Sequence, residues 1–151
     1  MATWLAYWTS AHIEEAERTL SWSHSCWGSK RKNLATKYAK GDTVYFTNID
    51  ENGYHSLFGK LILDKFTTSR KQCEDLIGRS LSRVPFDTYW VGKKPWRKLE
   101  DIPFRELVLT LEFASGKPLD KNYNGQAFQT PRQLTEDDIN VVEDLWLSYT
   151  E

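Results

Sequence analysis

The pair Asn52-Gly53 constrains the fold more than any other feature of the sequence. It lies between two apolar runs, where an Asn-Gly pair favours a two-residue type I′ turn because both residues adopt positive φ readily. Residues 42–48 and 54–63 are therefore predicted to form the two antiparallel strands of a hairpin. Gly59, inside the second run, indicates a bulge or a close backbone approach.

Short strands and helices are predicted on both sides of this hairpin. Residues 3–9 alternate in polarity, which predicts a strand with Trp4, Ala6 and Trp8 on one face. The further predictions are a helix after Ser10, a loop over residues 21–28, helices over residues 30–40 and 69–77, an irregular segment with short strands over residues 80–98, a strand over residues 107–113 and a last helix capped by Thr135. This order predicts an α+β fold: a small curved or barrel-like mixed sheet with helices packed around it, in one domain over residues 1–151.

Length and composition limit the cellular setting. A chain of 151 residues with 40% hydrophobic residues is long enough to bury a real core. It contains no apolar run near 18 residues, so no membrane span is expected, and its N-terminus does not read as a secretory signal. Two cysteines make a poor disulfide framework. We therefore expect a cytoplasmic protein.

Positive charge is concentrated in two segments although the net charge is −1. Residues 18–41 hold six Lys or Arg and no acid, and residues 76–99 hold six against one acid, Asp87. If these segments meet in space, they form a basic face suited to nucleic acid. The alternative is a solvated surface with no partner.

Aromatic residues are the most unusual part of the composition. The chain has seven Trp, seven Tyr and seven Phe, more than a core of this size requires. Several tryptophans, among them Trp27, Trp90 and Trp96, stand beside polar or basic residues. Because an exposed indole is costly, the surplus indicates a binding pocket or an interface.

Trp27 is the tryptophan that best combines the local positive charge with the surplus of aromatic residues. It precedes the predicted basic helix, where its ring can stack on a nucleic-acid base. The cations expected to face phosphates are Lys30, Arg31, Lys32, Lys37 and Lys94. Backbone N–H groups of Gly28, Ser29 and Lys30 would be free at the helix N-terminus to bind a phosphate or a base edge. The alternative for Trp27 is a core residue that closes one end of the barrel.

Catalytic and metal-binding patterns are absent from the sequence. Neither glycine-rich phosphate motif occurs, and the histidines at positions 12, 24 and 55 are too scattered for a zinc site. Asp64, Glu74 and Glu112 do not form a convincing nuclease pattern. We therefore expect no catalytic residue, no metal and no cofactor.

Several motifs together resemble the PUA-like group that includes the EVE and YTH domains. The motifs are Cys26-Trp27-Gly28 with Asn33-Leu34, the run from Gly41-Asp42 to Phe46, Phe58-Gly59, Ile102-Pro103-Phe104 after Trp96, Gly116-Lys117-Pro118-Leu119, Asn124-Gly125-Gln126, and the ending from Arg132 to Asp138. The resemblance spans most of the chain.

This resemblance implies a non-catalytic reader that holds one modified base of DNA or RNA, expected to be methylated, in an aromatic cage. The residue matching the family's cage wall is Trp27, and the second wall is assigned to Trp90 within the region that also holds Phe86. Ser10 matches by position a polar group that contacts the base. The full set implied for base binding is Trp27, Trp90, Gly28, Ser29, Ser10, Phe86 and Asn33.

The resemblance also implies a partner, and it leaves two other functions open. The expected partners are DNA or RNA that carries the modified base and a nuclease or ATPase effector, either encoded nearby or part of the same longer protein. One alternative is an ASCH-like hydrolase acting on a modified nucleoside, although the run at residues 28–33 lacks the glutamate of that family's motif. The other is a protein-interaction domain that uses the tryptophan surface.

Overall fold

The computed structural model describes residues 1–8, 23–29, 33–81, 86 and 88–150, with the backbone alone at 23 and 24. Within these residues the strands are β1 (Thr3–Tyr7), β2 (Ser23–His24), β3 (Cys26–Ser29), β4 (Thr43–Ile49), β5 (His55–Thr67), β6 (Thr88–Gly92), β7 (Arg97–Lys98), β8 (Ile102–Pro103) and β9 (Arg132–Gln133). The helices are α1 (Leu34–Lys37), α2 (Arg70–Ile77), α3 (Arg105–Val108), a 3₁₀ helix (Gly125–Phe128) and α4 (Glu136–Thr150). None of these helices is long and apolar enough to cross a membrane.

Seven strands form one mixed sheet in the order β3-β6-β5-β4-β1-β9, and β8 pairs with β5 beside this path. The β1–β4 pair is parallel, and the other pairs are antiparallel. Among the described residues no pairing joins β3 to β9, so the sheet is not closed into a barrel. The predicted α+β class with a small mixed sheet is confirmed.

The hairpin at Asn52-Gly53 is confirmed, but its turn type was predicted wrongly. Gly53 has φ of +80°, and Phe113 is the only described non-glycine residue with positive φ, so Asn52 lacks the positive φ of a type I′ turn. The N–H of Asp50 donates to the carbonyl of Tyr54 at 2.9 Å, and that of Gly53 donates to Asp50 at 3.0 Å. The connection is therefore a three-residue loop that ends in a left-handed glycine.

Two register shifts bend β5. The β4–β5 register shifts between Phe46 and Thr47, opposite Phe58, which confirms the bulge predicted beside Gly59. The β5–β6 register shifts between Leu63 and Lys65. Because a bulge bends its strand and increases the local twist, the first half of β5 pairs with β4 and the second half with β6. The sheet curves around one face as a result.

The alternation predicted for β1 is confirmed, and it divides the protein into two cores. Trp4, Ala6 and Trp8 pack on one face of the sheet, while Leu5 and Tyr7 pack on the other face. We name the eight aromatic residues on the first face the aromatic cluster: Trp4, Trp8, Trp27, Tyr38, Phe46, Phe58, Phe66 and Trp90. We name the buried residues that pack with α4 on the second face the helix core: Leu5, Tyr45, Leu57, Ile102, Phe104, Val108, Leu111, Phe113, Tyr123, Phe128, Leu134, Val142 and Trp146.

The last helix forms as its sequence predicts. The Oγ1 of Thr135 accepts from the N–H of Asp138, and the carboxylate of Asp138 accepts from the N–H of Thr135, both at 3.1 Å. This is a capping box in which Asp takes the place of Glu. Val142 and Trp146, four residues apart, are both fully buried on the helix face that meets the sheet.

The strand predicted over residues 107–113 is wrong. This segment begins within α3, where the N–H of Val108 donates to Phe104 at 2.9 Å, and it continues as turns. The N–H groups of Glu112 and Phe113 donate to the carboxylate of Asp138 at 3.0 and 2.8 Å. The strand that pairs with β1 on the side away from β4 is β9. The apolar residues of the segment 107–113 therefore reach the helix core from turns rather than from a strand of the sheet.

Around Trp27, one prediction is wrong and another holds only in part. Residues 26–29 of the predicted loop form β3, and the helix predicted over residues 30–40 is described only as α1 (Leu34–Lys37). The helix ends at Tyr38, which is extended, with φ −113° and ψ +151°, and whose buried ring contacts the indoles of Trp4 and Trp27. The helix predicted after Ser10 lies outside the described residues. The helix predicted over residues 69–77 is confirmed as α2, capped by the Ser69 side chain and ended by a left-handed Gly78.

Candidate functional site

The aromatic cluster is built around Tyr38, which follows α1. The ring of Tyr38 makes edge contacts with Trp4 and with Trp27, each with centroids 4.8 Å apart and planes at 73°. Edge-to-face pairs at this spacing stabilise by about 0.5–1.5 kcal/mol beyond the area that they bury. Tyr38 therefore connects the β1 side of the cluster to the edge strand β3.

Phe46 makes edge contacts with two indoles of the cluster. Trp8 meets its ring at 5.6 Å and 67°, and Trp27 meets it at 6.0 Å and 74°. Both indoles thus stand nearly perpendicular to the plane of Phe46. Trp8 also contacts Phe58 at 5.6 Å and is only half-buried.

Two tryptophans of the cluster have their indole N–H groups satisfied inside the protein. Trp4 Nε1 donates to Asp42 Oδ2 at 3.2 Å, and Trp90 Nε1 donates to the carbonyl of Leu34 at 2.8 Å. Asp42, buried beside β4, also accepts from the N–H of Ala2 and of Ala39. A buried carboxylate with three donors is an anchor for the chain around it. These bonds hold α1 against the sheet.

The two predicted cage walls, Trp27 and Trp90, are cross-strand partners. They are paired residues of β3 and β6, and both side chains enter the aromatic cluster. Directly opposite residues stand side by side on one face of a sheet. The structure therefore places the two indoles next to each other on the same face of the sheet. Their exposed fractions are 7% and 5%, so both are packed core residues in this structure.

Gly28 and Phe86 lie on the opposite face of the sheet. A Cβ on Gly28 would come within 2.6 Å of the Tyr89 ring and 2.9 Å of the Phe86 ring, so only glycine fits there. Phe86 is half-buried against a third cluster that includes Cys26, Cys73 and Tyr89. Two members of the predicted set are thus separated from Trp27 and Trp90 by the sheet.

The backbone of Gly28 and Ser29 belongs to a strand ladder, which corrects the prediction of free donors at a helix N-terminus. Gly28 pairs with Tyr89, and Ser29 pairs with Thr88. The Thr88 hydroxyl donates to the carbonyl of Ser29 at 2.8 Å. Trp27 is therefore placed by sheet pairing, not by a turn before a helix.

The remaining predicted residues are dispersed. Asn33 is exposed at the start of α1, where its side chain makes no capping hydrogen bond. Lys37 is exposed and its Nζ lies 5.3 Å from the Trp4 ring centroid and 5.7 Å from that of Tyr38. Lys94 lies 5.0 Å from the ring of Trp96, which packs on the third cluster. Lys37 and Lys94 are thus held by different clusters. Ser10, Lys30, Arg31 and Lys32 lie outside the described residues.

Cys26 and Cys73 form a buried thiol pair behind Trp27. The hydrogen bond from Cys73 lowers the pKa of Cys26 in spite of its burial, and Arg79 lowers it further. The same hydrogen bond and burial raise the pKa of Cys73. Within the described ranges, no three His, Cys, Asp or Glu side chains are grouped to hold a metal ion.

Sequence reasoning missed Trp8 as a site candidate. The alternation of β1 already placed it on the face of Trp4 and Ala6, but nothing in the sequence indicated that this face meets Trp27. Trp8 and Trp27 are connected through Phe46, whose ring contacts both indoles. Phe46 lies 19 positions after Trp27 and belongs to a different strand pair.

No protein-family model and no curated protein matches the sequence. Solved structures do match. The chain is similar to the N-terminal domain of McrB from Thermococcus gammatolerans, solved bound to m5C DNA, with a TM-score of 0.59 and 14% sequence identity. The match covers 98% of each chain. At this identity the likeness shows a shared fold.

Proposed function

We propose that this chain is a non-catalytic reader that binds a modified base of nucleic acid in the aromatic cluster. The observation that carries the proposal is the shared fold, over 98% of both chains, with a domain solved bound to m5C DNA. 5-Methylcytosine in DNA is accordingly the first ligand to test. The EVE- and YTH-like motifs of the sequence support the same class of ligand, and they extend it to methylated RNA as a second ligand to test.

We assign the base to a site that would open between Trp8, Phe46 and Trp27. Phe46 would form the floor, since both indoles stand nearly perpendicular to it. Trp27, with Trp90 beside it in the ladder, would form one wall, and the half-buried Trp8 would form the other. This assignment keeps the first predicted wall and moves the opposing wall from Trp90 to Trp8.

The energetics of base recognition suit an aromatic site. Removing a base from a stack costs a few kcal/mol, which stacking on an indole offsets by about 1–3 kcal/mol per base. Burying one methyl group adds only about 0.8 kcal/mol. Discrimination must therefore come from a close fit around the methyl group together with polar contacts to the base edge. Asn33, exposed at the start of α1, and Ser10 are our candidates for those contacts.

Binding will require local opening around the cluster. Trp27 is only 7% exposed, so a base cannot stack on its face without displacing a neighbouring ring. Of the three rings that border the proposed site, Trp8 is the most exposed, and it forms the second wall. We expect base binding to change the environment of Trp8 more than that of Trp146, which is buried in the helix core.

The biological role proposed for the reader is to direct an effector to modified nucleic acid. The expected effector is a nuclease or an ATPase encoded nearby, and the expected compartment is the cytoplasm. A single domain over residues 1–151 would supply recognition, and the effector would supply chemistry.

A binding screen tests the proposal. The purified protein is titrated with matched oligonucleotides that differ at one central base: unmodified, 5-methylcytosine, its oxidised forms, or N6-methyladenine, each in DNA and in RNA. We expect tighter binding to one modified form than to its unmodified control, by about 10-fold to 200-fold if the preference rests on one methyl group. Equal affinity for every modified and unmodified oligonucleotide would contradict the reader function.

A further inference from the structure

A groove lies beside the aromatic cluster, on the side of β1 and β9. It has a volume of about 610 Å³, and the residues that line it include Trp4, Lys37, Lys117, Gln126, Arg132 and Gln133. Its walls come from α1, from the turn after residue 113, and from the segment that joins the 3₁₀ helix to β9. We name it the cationic groove.

The charged residues described in the lining of this groove are all positive. Lys37, Lys117 and Arg132 line it, and no aspartate or glutamate is among the described residues that do so. The other lining side chains include glutamines and hydroxyls, which can donate hydrogen bonds to phosphate and sugar oxygens. On a protein with net charge −1, three cations without a carboxylate in one groove form a local site for an anion.

Arg132 is held in a fixed orientation within the groove. Its Nε donates to the carbonyl of Ala127 at 2.9 Å, and one terminal nitrogen donates to the carbonyl of Lys117 at 2.9 Å. The guanidinium lies 4.8 Å from the ring centroid of Phe113. Burial lowers the pKa of Arg132, but a guanidinium stays charged at neutral pH. Because two carbonyls and an aromatic ring already fix the guanidinium, Arg132 loses little side-chain entropy when it binds an anion.

The groove is connected to the aromatic cluster through Lys37. The Nζ of Lys37 lies over the rings of Trp4 and Tyr38, and Tyr38 makes an edge contact with Trp27. One cation of the groove is thus separated from the proposed base wall by a single ring. Neighbouring nucleotides of a strand are only a few ångströms apart, so phosphates that flank a base near Trp27 would reach this end of the groove.

We infer that the cationic groove binds the phosphodiester backbone of the DNA strand whose modified base enters the aromatic cluster. This inference rests on the proposed function. Lys37 and Lys117 would bind phosphates as exposed point charges, and Arg132 would bind one through the terminal nitrogen that makes no bond to the described residues. The contacts are to phosphate and sugar, so they strengthen binding without selecting the modification.

The test uses a double variant, Lys37→Gln with Lys117→Gln, and a matched control, Lys65→Gln with Lys71→Gln. All four lysines are exposed, and the control pair, on β5 and α2, removes the same charge outside the groove. Affinities for a short duplex with one 5-methylcytosine, and for its unmodified counterpart, are measured over a range of salt concentrations. In the groove variant we expect the slope of log K against log salt to fall by about two, one for each lost phosphate contact.

The outcomes separate the groove from the reader function. We expect the groove variant to bind both duplexes more weakly by the same factor, with the methyl preference retained and the control unchanged. A groove variant with the wild-type slope and affinities, in a protein that still prefers the methylated duplex, would overturn the groove and leave the reader function standing. A reduced slope in a protein without methyl preference would support the groove and contradict the reader. No binding by the wild-type protein would contradict both.

Discussion

The helix core and the aromatic cluster occupy opposite faces of the same strands, yet they are built differently. In the helix core, Trp146 is fully buried, and its indole N–H has no hydrogen-bond partner among the described residues. In the aromatic cluster, Trp4 and Trp90 donate to Asp42 and to Leu34, Trp8 is half-buried, and Lys37 lies over the edge of the cluster. The first face is a closed and largely apolar core. The second combines packing with polar anchors, positive charge and partial exposure, as a binding site requires.

The largest effect is expected from Trp146→Ala. The side chain fills the centre of the helix core against Tyr45, at a centroid distance of 6.1 Å, so its loss leaves a cavity. We expect the free energy of unfolding to fall by about 3–5 kcal/mol in a denaturant titration. Tyr149→Ala, at a position 52% exposed on the same helix, is the matched control and should change it by less than about 0.5 kcal/mol. A loss below about 1 kcal/mol for Trp146→Ala would contradict the assignment of this face to stability.

His55 makes the helix core sensitive to acid. Burial lowers the pKa of His55 to about 4, and the charge of Arg105 acts in the same direction. Because the unfolded chain binds this proton near pH 6.5, the stabilising contribution is complete above pH 6.5 and is lost as pH falls through 6.5 towards 4. The expected loss is at most about 3 kcal/mol.

The measurement is the free energy of unfolding between pH 7.5 and pH 4 for the wild type and for His55→Gln, in which the amide can still bond to Tyr123. The variant should lose less stability over this interval, since carboxylate titration is common to both proteins. Parallel curves for the two proteins would show that His55 does not titrate as its buried position requires.

Asp138→Ala should produce the next effect. This carboxylate accepts from the N–H groups of Glu112, Phe113 and Thr135, which connects the α4 cap to the segment that precedes it. Burial raises its pKa, but these hydrogen bonds together lower it below the usual value. We expect a loss of about 2 kcal/mol, because backbone donors are left without an acceptor. Asp137→Ala, exposed in the same turn, serves as the control. Equal effects of the two variants would contradict the role of the cap.

The smallest effect is expected from Glu143→Gln. Glu143 receives Lys60 Nζ at 2.8 and 2.9 Å, which joins α4 to β5 at the border of the helix core. The side chains keep 17% and 30% of their surface exposed, so solvent screens the pair. We expect at most about 1 kcal/mol, with most of the difference lost in high salt. An effect as large as that of Asp138→Ala would show that this border is more strongly coupled than the core contacts indicate.

The elements predicted correctly from sequence are those whose signals are local. The capping box at Thr135, the alternation of β1, the Gly78 stop of α2 and the Asn52-Gly53 hairpin each specify structure within a few residues. The strand predicted over residues 107–113 failed because its N–H groups donate to carbonyls three or four residues earlier, or to Asp138, about 25 residues away. No periodicity in the sequence reports such a bond.

The candidate site was harder to predict than the fold because its partners come from separate strands. Trp27 was identified from its neighbours in sequence, but its position in β3 depends on pairing with Trp90. Phe86 was grouped with Trp90, but Phe86 lies outside β6 and packs in the third cluster, on the opposite face of the sheet from Trp90. Lys117 and Arg132 share a groove because the Arg132 guanidinium donates to the carbonyl of Lys117 and so joins two loops. No local pattern in the sequence indicates this contact.

The most direct test of the central claim compares two tryptophans of similar burial, Trp27→Leu and Trp146→Leu. Each replaces an indole that is at most 7% exposed by a smaller apolar side chain, so both variants should lose stability. If the aromatic cluster holds the modified base, Trp27→Leu should weaken binding of the methylated duplex by about fivefold to 150-fold, corresponding to about 1–3 kcal/mol of stacking, at a temperature where both variants are folded. Trp146→Leu should keep the wild-type affinity and methyl preference. Equal affinities for the two variants, at equal folded fractions, would contradict the claim that the face around Trp27 is the binding site.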